Sequence, residues 1–275
     1  MKKVAVIILN YKSWEDTIKE IELLNNYLKI DHSDIIVVEN ASPNESLEQL
    51  EIESSKKGFI LLNSEENGGY AAGNNIGLRY AYKYGYDYAW ILNNDIIVND
   101  KDIVKKLISV FNKNNKIAVV NPDIYSPDGH MFNRDAVKPK FIDFTIGLPM
   151  YKKKGRKIKD LGGYAYIYRP QGCCMMLDLK KIRDICYLDE HTFLYWEESI
   201  LAERLLRKKY RCALCTTAKI IHNHSKTVKD SISRKKVIKI NNESLGYYLR
   251  RYRGYKKYMV SICKIFNYLK MWMIE

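Results

Sequence analysis

Four times in its first 95 residues the chain runs through a short apolar stretch and then stops on a polar turn, and this rhythm constrains the fold more than any other feature. The apolar runs lie at residues 3–9, 35–39, 59–63 and 88–92, with a fifth at 117–120. Amphipathic helical stretches around residues 14–28, 70–84 and 101–112 separate them. Strands alternating with helices predict an α/β fold, a mostly parallel sheet flanked by helices. In open sheets of this kind ligands gather at the carboxyl ends of the strands. The turns to read are therefore Asn10-Tyr11, Glu39-Asn40-Ala41-Ser42, Asn67-Gly68-Gly69 and Asn93-Asn94-Asp95. One polar turn carries little information, because turns favour such residues anyway. Four in succession point to a ligand site.

The second half is less regular. Residues 122–170 are punctuated by Pro and Gly, strand-like runs follow at 173–177, 211–215 and 219–222, and a helix is expected over 197–208. The net charge of +14 is concentrated rather than spread: residues 226–275 hold thirteen Lys or Arg against three acids, and residues 151–160 hold six against one. A near-neutral body with a basic tail and a basic loop differs from a protein coated in positive charge to grip nucleic acid. No run approaches the ~20 apolar residues needed to span a bilayer, and residues 1–12 do not read as a signal peptide. A cytoplasmic protein, or one held at the inner face of the cell membrane, is expected. The six cysteines lack the spacing of a zinc site and read as reduced, mostly buried thiols.

Three segments carry the chemistry. In Asn67 to Gly77 (NGGYAAGNNIG), glycines allow close backbone approach and a helix start offers free N–H groups to an anion. The segment has neither G-x-G-x-x-G spacing nor the Lys-Ser/Thr of a P-loop, which counts against a dehydrogenase or an NTPase. In Asn93-Asn94-Asp95 a carboxylate beside amide oxygens can hold a hard cation such as Mg²⁺ or Mn²⁺, which can bridge diphosphate oxygens. From Asp189 to Glu198 four acids mix with Phe193, Tyr195 and Trp196, an aromatic wall beside carboxylates of the kind that stacks a sugar while a general base takes its hydroxyl proton. His222 and His224, at the end of a strand, could add a metal ligand.

Taken together, VAVIILNYKS, VVENASPNES, NGGYAAGNNIG, ILNND, TFLYWEES and IIHNHS resemble, in order and spacing, the family 2 glycosyltransferases, an inverting group with the GT-A fold. The likeness runs over residues 4–227 and is nearest to enzymes of bacterial capsule and O-antigen assembly, including rhamnosyl-, glucosyl- and galactosyltransferases. The resemblance implies a GT-A domain over 1–225, with a nucleotide-sugar half (1–121) and an acceptor half (122–225), followed by a basic helical extension over 226–275. It implies that Asn10, Tyr11, Glu39, Asn40 and Ser42 border the base and ribose of a UDP- or dTDP-sugar. Asn67, Gly69, Asn74, Asn93 and Asn94 would lie along the rest of that donor. Asp95 and His222 would hold Mn²⁺ or Mg²⁺, Tyr195 and Trp196 would border the saccharide acceptor, and Glu198, with Glu197 before it, would be the catalytic base. The sequence departs from the common pattern where Asn93 replaces the first acid of the D-x-D element and Glu-Glu replaces Glu-Asp.

The tail mixes Lys and Arg with Tyr, Trp, Ile and Met, which suits an anionic membrane surface bearing a lipid-linked acceptor. A helical pair packed on the body, or a homodimer contact, accounts for it nearly as well. Other readings are a weak or dead nucleotide-sugar-binding scaffold, a nucleotidyltransferase, and a nucleic-acid module built on the tail. The last leaves the clustering of acids and asparagines at strand ends unexplained, and no nucleic-acid partner is expected.

Overall fold

The computed structural model describes residues 2–147, 155, 157–223 and 233–273. Most of the basic loop, His224 and residues 226–232 of the tail lie outside the described residues.

The first half is built as β1 (Val4–Asn10), α1 (Trp14–Asn26), β2 (Ile35–Glu39), α2 (Ser46–Lys57), β3 (Ile60–Asn63), α3 (Gly69–Lys83) and β4 (Tyr88–Leu92). β1 pairs in parallel with β2 and β4, and β3 adds in parallel outside β2. β2 and β4 are buried at every position, which is why they read as continuous apolar runs rather than alternating ones. The second half follows as β5 (Ile96–Ile97), α4 (Ile103–Phe111), β6 (Ile117–Tyr125), β7 (Tyr164–Ile167), β8 (Cys174–Asp178), α5 (Leu179–Asp184), α6 (Glu197–Arg207), β9 (Arg211–His222), α7 (Arg234–Arg251) and α8 (Lys257–Met273). The strands form one sheet in the order β3-β2-β1-β4-β8-β6-β9-β5, with β7 alongside the first half of β9.

Two features refine the expected sheet. Parallel pairing holds for the first four strands, but β8 enters antiparallel between β4 and β6. Its entrance therefore lies beside the exit of β4, at the ligand edge. The strands expected separately at 211–215 and 219–222 are one strand, β9: Cys215 pairs with Pro122 and Lys219 with Asp123, so the three residues between them bulge out.

Successive residues of β1 feed opposite faces: Val6 and Ile8 join Ile21, Leu24, Trp90 and Leu107 on one side, and Ala5 and Ile7 join Leu78, Ile91 and Leu201 on the other. A third cluster docks α7 and α8 on the body, where Leu245, Tyr248, Leu249, Val260 and Cys263 pack on Ile200, Phe141, Phe144 and Trp196. Among the described residues no helix is long and apolar enough to cross a membrane. Five cysteines are buried free thiols and Cys186 is exposed.

Candidate active site

The turns that follow β1, β2 and β4 are bound into one network. Glu39 is fully buried; one carboxylate oxygen accepts from Asn10 Nδ2 at 2.5 Å and the other from the Ser42 amide at 2.5 Å. Thr17, from α1, donates to Asn10 Oδ1 at 2.8 Å and accepts from Asn94 Nδ2 at 2.9 Å. Ser42 Oγ accepts from the Lys12 amide at 2.8 Å. Each polar side chain is thus fixed before a ligand arrives, the preorganisation that a binding turn needs. Tyr11 is half-buried at the rim, with Lys12 Nζ 5.3 Å from its ring centre.

The glycine-rich segment opens α3 and is held against the 193 turn. Gly69 has φ +82, and a Cβ there would stand 2.0 Å from the Phe193 carbonyl oxygen, which accepts from the Tyr70 amide at 3.0 Å. Asn67 Oδ1 accepts from the Gly69 amide at 3.1 Å and from Asn40 Nδ2 at 3.0 Å. Asn74, on the inner face of α3, donates to the Tyr70 carbonyl at 2.9 Å, while its Oδ1, like Asn40 Oδ1, is buried without a hydrogen-bond partner. Buried acceptors of this kind are commonly completed by a ligand or water.

Asp95 and His222 lie side by side. Ile96 pairs with His222 in the β5–β9 ladder, the Asn223 amide donates to the Asp95 carbonyl, and His222 Nε2 lies 3.1 Å from Asp95 Oδ1. Two neighbouring ligands of an octahedral Mg²⁺-sized ion stand about 3 Å apart, so the pair fits a shared divalent cation. No group of three or more His, Cys, Asp or Glu that could hold a metal occurs among the described residues, so donor oxygens or water would complete the shell.

Glu197 and Glu198 open α6. Tyr195 and Trp196, just before them, have φ of 72 and 69. Two consecutive left-handed residues that are not glycine store about 1–3 kcal/mol each, and such strain concentrates at functional sites. Trp196 is held by Tyr248, stacked at 5.5 Å, and by a 3.2 Å hydrogen bond from its Nε1 to Asn241, so one face of its ring is occupied. Glu198 Oε1 accepts from the Gly172 amide at 3.2 Å, and Tyr70 donates to the Gly172 carbonyl at 2.7 Å. Next along the chain, the Cys173 carbonyl accepts from the Asn93 amide at 2.9 Å. Two residues of chain therefore link the base region to the β4 turn. Glu197 Oε2 is buried and unpartnered; burial first, then the charge of Glu198, pushes the Glu197 carboxyl up to about 8. It therefore carries its proton at neutral pH.

This makes stability pH-dependent. Unfolded Glu197 ionises near 4.5 but the folded group only near 8, so between those values the native state binds more protons and stability falls as pH rises. Glu197→Gln is expected to match wild type at pH 4.5 and to exceed it by on the order of 2–4 kcal/mol at pH 8 in urea denaturation. An equal pH dependence of the two proteins would refute it.

The other two acids of the 189–198 segment, Asp189 and Glu190, are engaged by neighbouring side chains. Asp189 accepts from Tyr247, Tyr252 and the His191 amide, and these bonds outweigh burial to hold its carboxyl down to about 2. Glu190 accepts from Asn75 and Arg79 at 2.6 Å each. The sequence reading does not single out Thr17, Tyr70, Gly172 or Cys173. Nor does it find Glu20, buried on α1 and lining a small cavity with Asn94 and Asp95. Burial, then the charge of Asp95, raises the Glu20 carboxyl well above the usual range. Thr17 and Glu20 leave a trace in the sequence, since both fall on the core-facing stripe of α1 with Ile21 and Leu24.

The mixed sheet flanked by helices is that of the GT-A glycosyltransferases, as its structural neighbours show. The model of glycosyl transferase family 2 matches residues 5–180, and the chain belongs to that family. It is 29% identical over 223 residues, 80% of this chain and 67% of the other, to the low-salt glycan biosynthesis hexosyltransferase Agl10 of Haloferax volcanii. Among solved structures it resembles the mannosyltransferase PcManGT from Pyrobaculum calidifontis in complex with GDP-Man and Mn²⁺, with a TM-score of 0.61 and 13% identity over 98% of this chain and 70% of that one. It also resembles S. aureus TarS 1–349 in complex with UDP-GlcNAc, with a TM-score of 0.55 and 17% identity over 90% of this chain and 67% of that one.

Proposed function

We propose that the chain transfers a hexosyl or deoxyhexosyl unit, with inversion, from a UDP- or dTDP-sugar to a hydroxyl of a cell-surface polysaccharide such as bacterial capsule or O-antigen, growing on a lipid carrier. One observation carries this reading: Gly172 and Cys173, just before β8, touch Glu198 through the Gly172 amide and the β4 turn through the hydrogen bond from Asn93 to the Cys173 carbonyl. The Cys173 thiol, raised by burial and its neighbour Cys174, also feels both Asp95 and Glu198.

In this reading Asn10, Tyr11, Glu39, Asn40 and Ser42 seat base and ribose, and Asn67, Gly69, Asn74, Asn93 and Asn94 line the remainder of the donor. The unpartnered Asn40 and Asn74 oxygens accept from donor hydroxyls. Asp95 and His222 would hold Mn²⁺ or Mg²⁺, which when bound neutralises charge developing on the departing diphosphate. Tyr195 and the open part of Trp196 border the acceptor. Glu197 keeps its proton, so Glu198 takes the proton of the acceptor hydroxyl as that oxygen attacks the anomeric carbon on the face opposite the leaving group. The basic tail contacts the inner face of the cell membrane.

Calorimetric titration with UDP-, dTDP- and GDP-sugars, with and without Mn²⁺, tests the donor assignment. Metal-dependent binding of a UDP- or dTDP-sugar is expected. Preference for a GDP-sugar would replace the donor class, and no binding would leave the scaffold reading. Asp95→Ala is expected to weaken the metal-dependent part of binding by roughly 10–100-fold, with a smaller effect on metal-free nucleotide binding. Equal loss with and without Mn²⁺ would remove Asp95 from the metal.

A further inference from the structure

α8 is built inside out for a surface helix. Tyr258, Ile262, Ile265, Leu269 and Trp272 recur at steps of four, three, four and three, one stripe of a helix, and all are exposed, Ile265 by 58% and Trp272 by 64%. Tyr268 and Phe266 flank the stripe and are exposed too. The inward face carries Val260, Cys263 and a polar residue, Asn267, which donates to Asn241 and Asn242 of α7 at 2.9 and 2.8 Å. This amide clamp fixes the rotation of α8: turning the stripe inward would break both bonds and leave the Asn241 and Asn242 side chains of α7 facing apolar groups without their partner. Contiguous exposed apolar area of this kind marks an interaction surface.

The charge around the stripe selects its occupant. α8 contains Lys257, Lys264 and Lys270 and no Asp or Glu. At its far end Arg234, the first residue of α7, donates to the Met271 and Trp272 carbonyls at 3.1 and 2.8 Å, so the start of α7, with exposed Lys235 and Lys236, meets the end of α8. An apolar stripe bearing Tyr and Trp, on a helix whose charged residues are all lysines, matches an anionic bilayer interface, where aromatic rings sit at headgroup level and lysines near the surface add to the attraction. A second copy of this face would set two basic helices against each other.

We infer that the outward face of α8, from Tyr258 to Trp272, seats the protein on an anionic lipid surface. The inference deepens the lipid-linked acceptor reading and rests on it. Asn241 links the two, because it accepts from both Asn267 of α8 and Trp196, the residue before Glu197. The start of α6, which carries Glu198, is thereby held at a set position relative to the seated helix, as an acceptor anchored in the same surface requires.

The test is flotation of the full chain with phosphatidylcholine vesicles containing or lacking phosphatidylglycerol, comparing wild type with Ile265→Glu/Leu269→Glu. Both changed positions are exposed, so the fold should persist, which circular dichroism and nucleotide-sugar titration would check. Wild type should float with the anionic vesicles at least about tenfold more than with neutral ones, and the double variant should lose that binding. Failure of wild type to float, or unchanged flotation of the variant, overturns the inference. So does light scattering that shows a dimer in wild type and a monomer in the variant, which would give the face to a second copy. Nucleotide-sugar binding that survives any of these results leaves the glycosyltransferase reading standing, so the two can fail separately.

Discussion

Glu198→Gln is expected to lower the turnover of sugar transfer by roughly 10²–10⁴-fold, the range for loss of a positioned general base. Glutamine keeps the size of the side chain and can face the Gly172 amide, so the 172–198 contact and the donor pocket should stand. Nucleotide-sugar affinity should stay within about a factor of two, the signature of an interaction made only on the way to the transition state. Glu197→Gln is the internal control. Glu197 already carries a proton at neutral pH, so the amide mimics its resting state, and turnover should fall by less than about tenfold. If the two variants behave the other way round, the base is Glu197.

The largest structural effect is expected at Gly69. A methyl group there would stand 2.0 Å from the Phe193 carbonyl oxygen and 2.7 Å from its carbon, both backbone atoms, at a φ of +82 that L residues rarely adopt. Either the start of α3 or the 193 turn must move, which also breaks the hydrogen bond from the Tyr70 amide to Phe193. Gly69→Ala should therefore cost more than about 3 kcal/mol in urea denaturation and weaken donor binding along with it. Gly58, with φ +84 and no atom within 4 Å of its would-be Cβ, isolates the backbone term. Gly58→Ala should cost about 1 kcal/mol. Equal losses at the two sites would show that the Phe193 contact matters little.

Much of this site is legible in the amino-acid sequence, for a definite reason. Asn10 and Glu39 end, and Asn94 and Asp95 follow, a strand whose apolar run is unambiguous, so placing the strand places the residue. The antiparallel direction of β8 is not legible, because Cys173 to Leu177 reads as a buried strand in either direction and its partners are chosen by tertiary packing. With β8 undirected, nothing in the sequence points to Gly172 and its contacts to Glu198 and Tyr70. α2 leaves no signal because it buries only Ser46 and Leu50, too little for a helical stripe to show. The tail reads as basic and helical, but the outward turn of its apolar face depends on Asn267 meeting Asn241, which no local pattern records.

The insertion of β8 between β4 and β6 also bears on how the chain is made. Synthesis runs from the N-terminus, and β1 to β4 can pair as soon as residues 4–92 are available, with the Glu39, Asn10, Ser42 and Thr17 network complete soon after. The strand that covers the far edge of β4 begins only at Cys174, and His222 arrives later still to meet Asp95. Throughout that interval β4 presents an uncovered edge of unpaired N–H and C=O groups flanked by apolar side chains, the kind of surface through which unfinished chains associate. A ribosome-bound nascent chain would thus complete the turn network around Glu39 before the Asp95–His222 pair, and, under the proposed function, donor binding to those turns would favour the half-built sheet while its open edge awaits the returning strand.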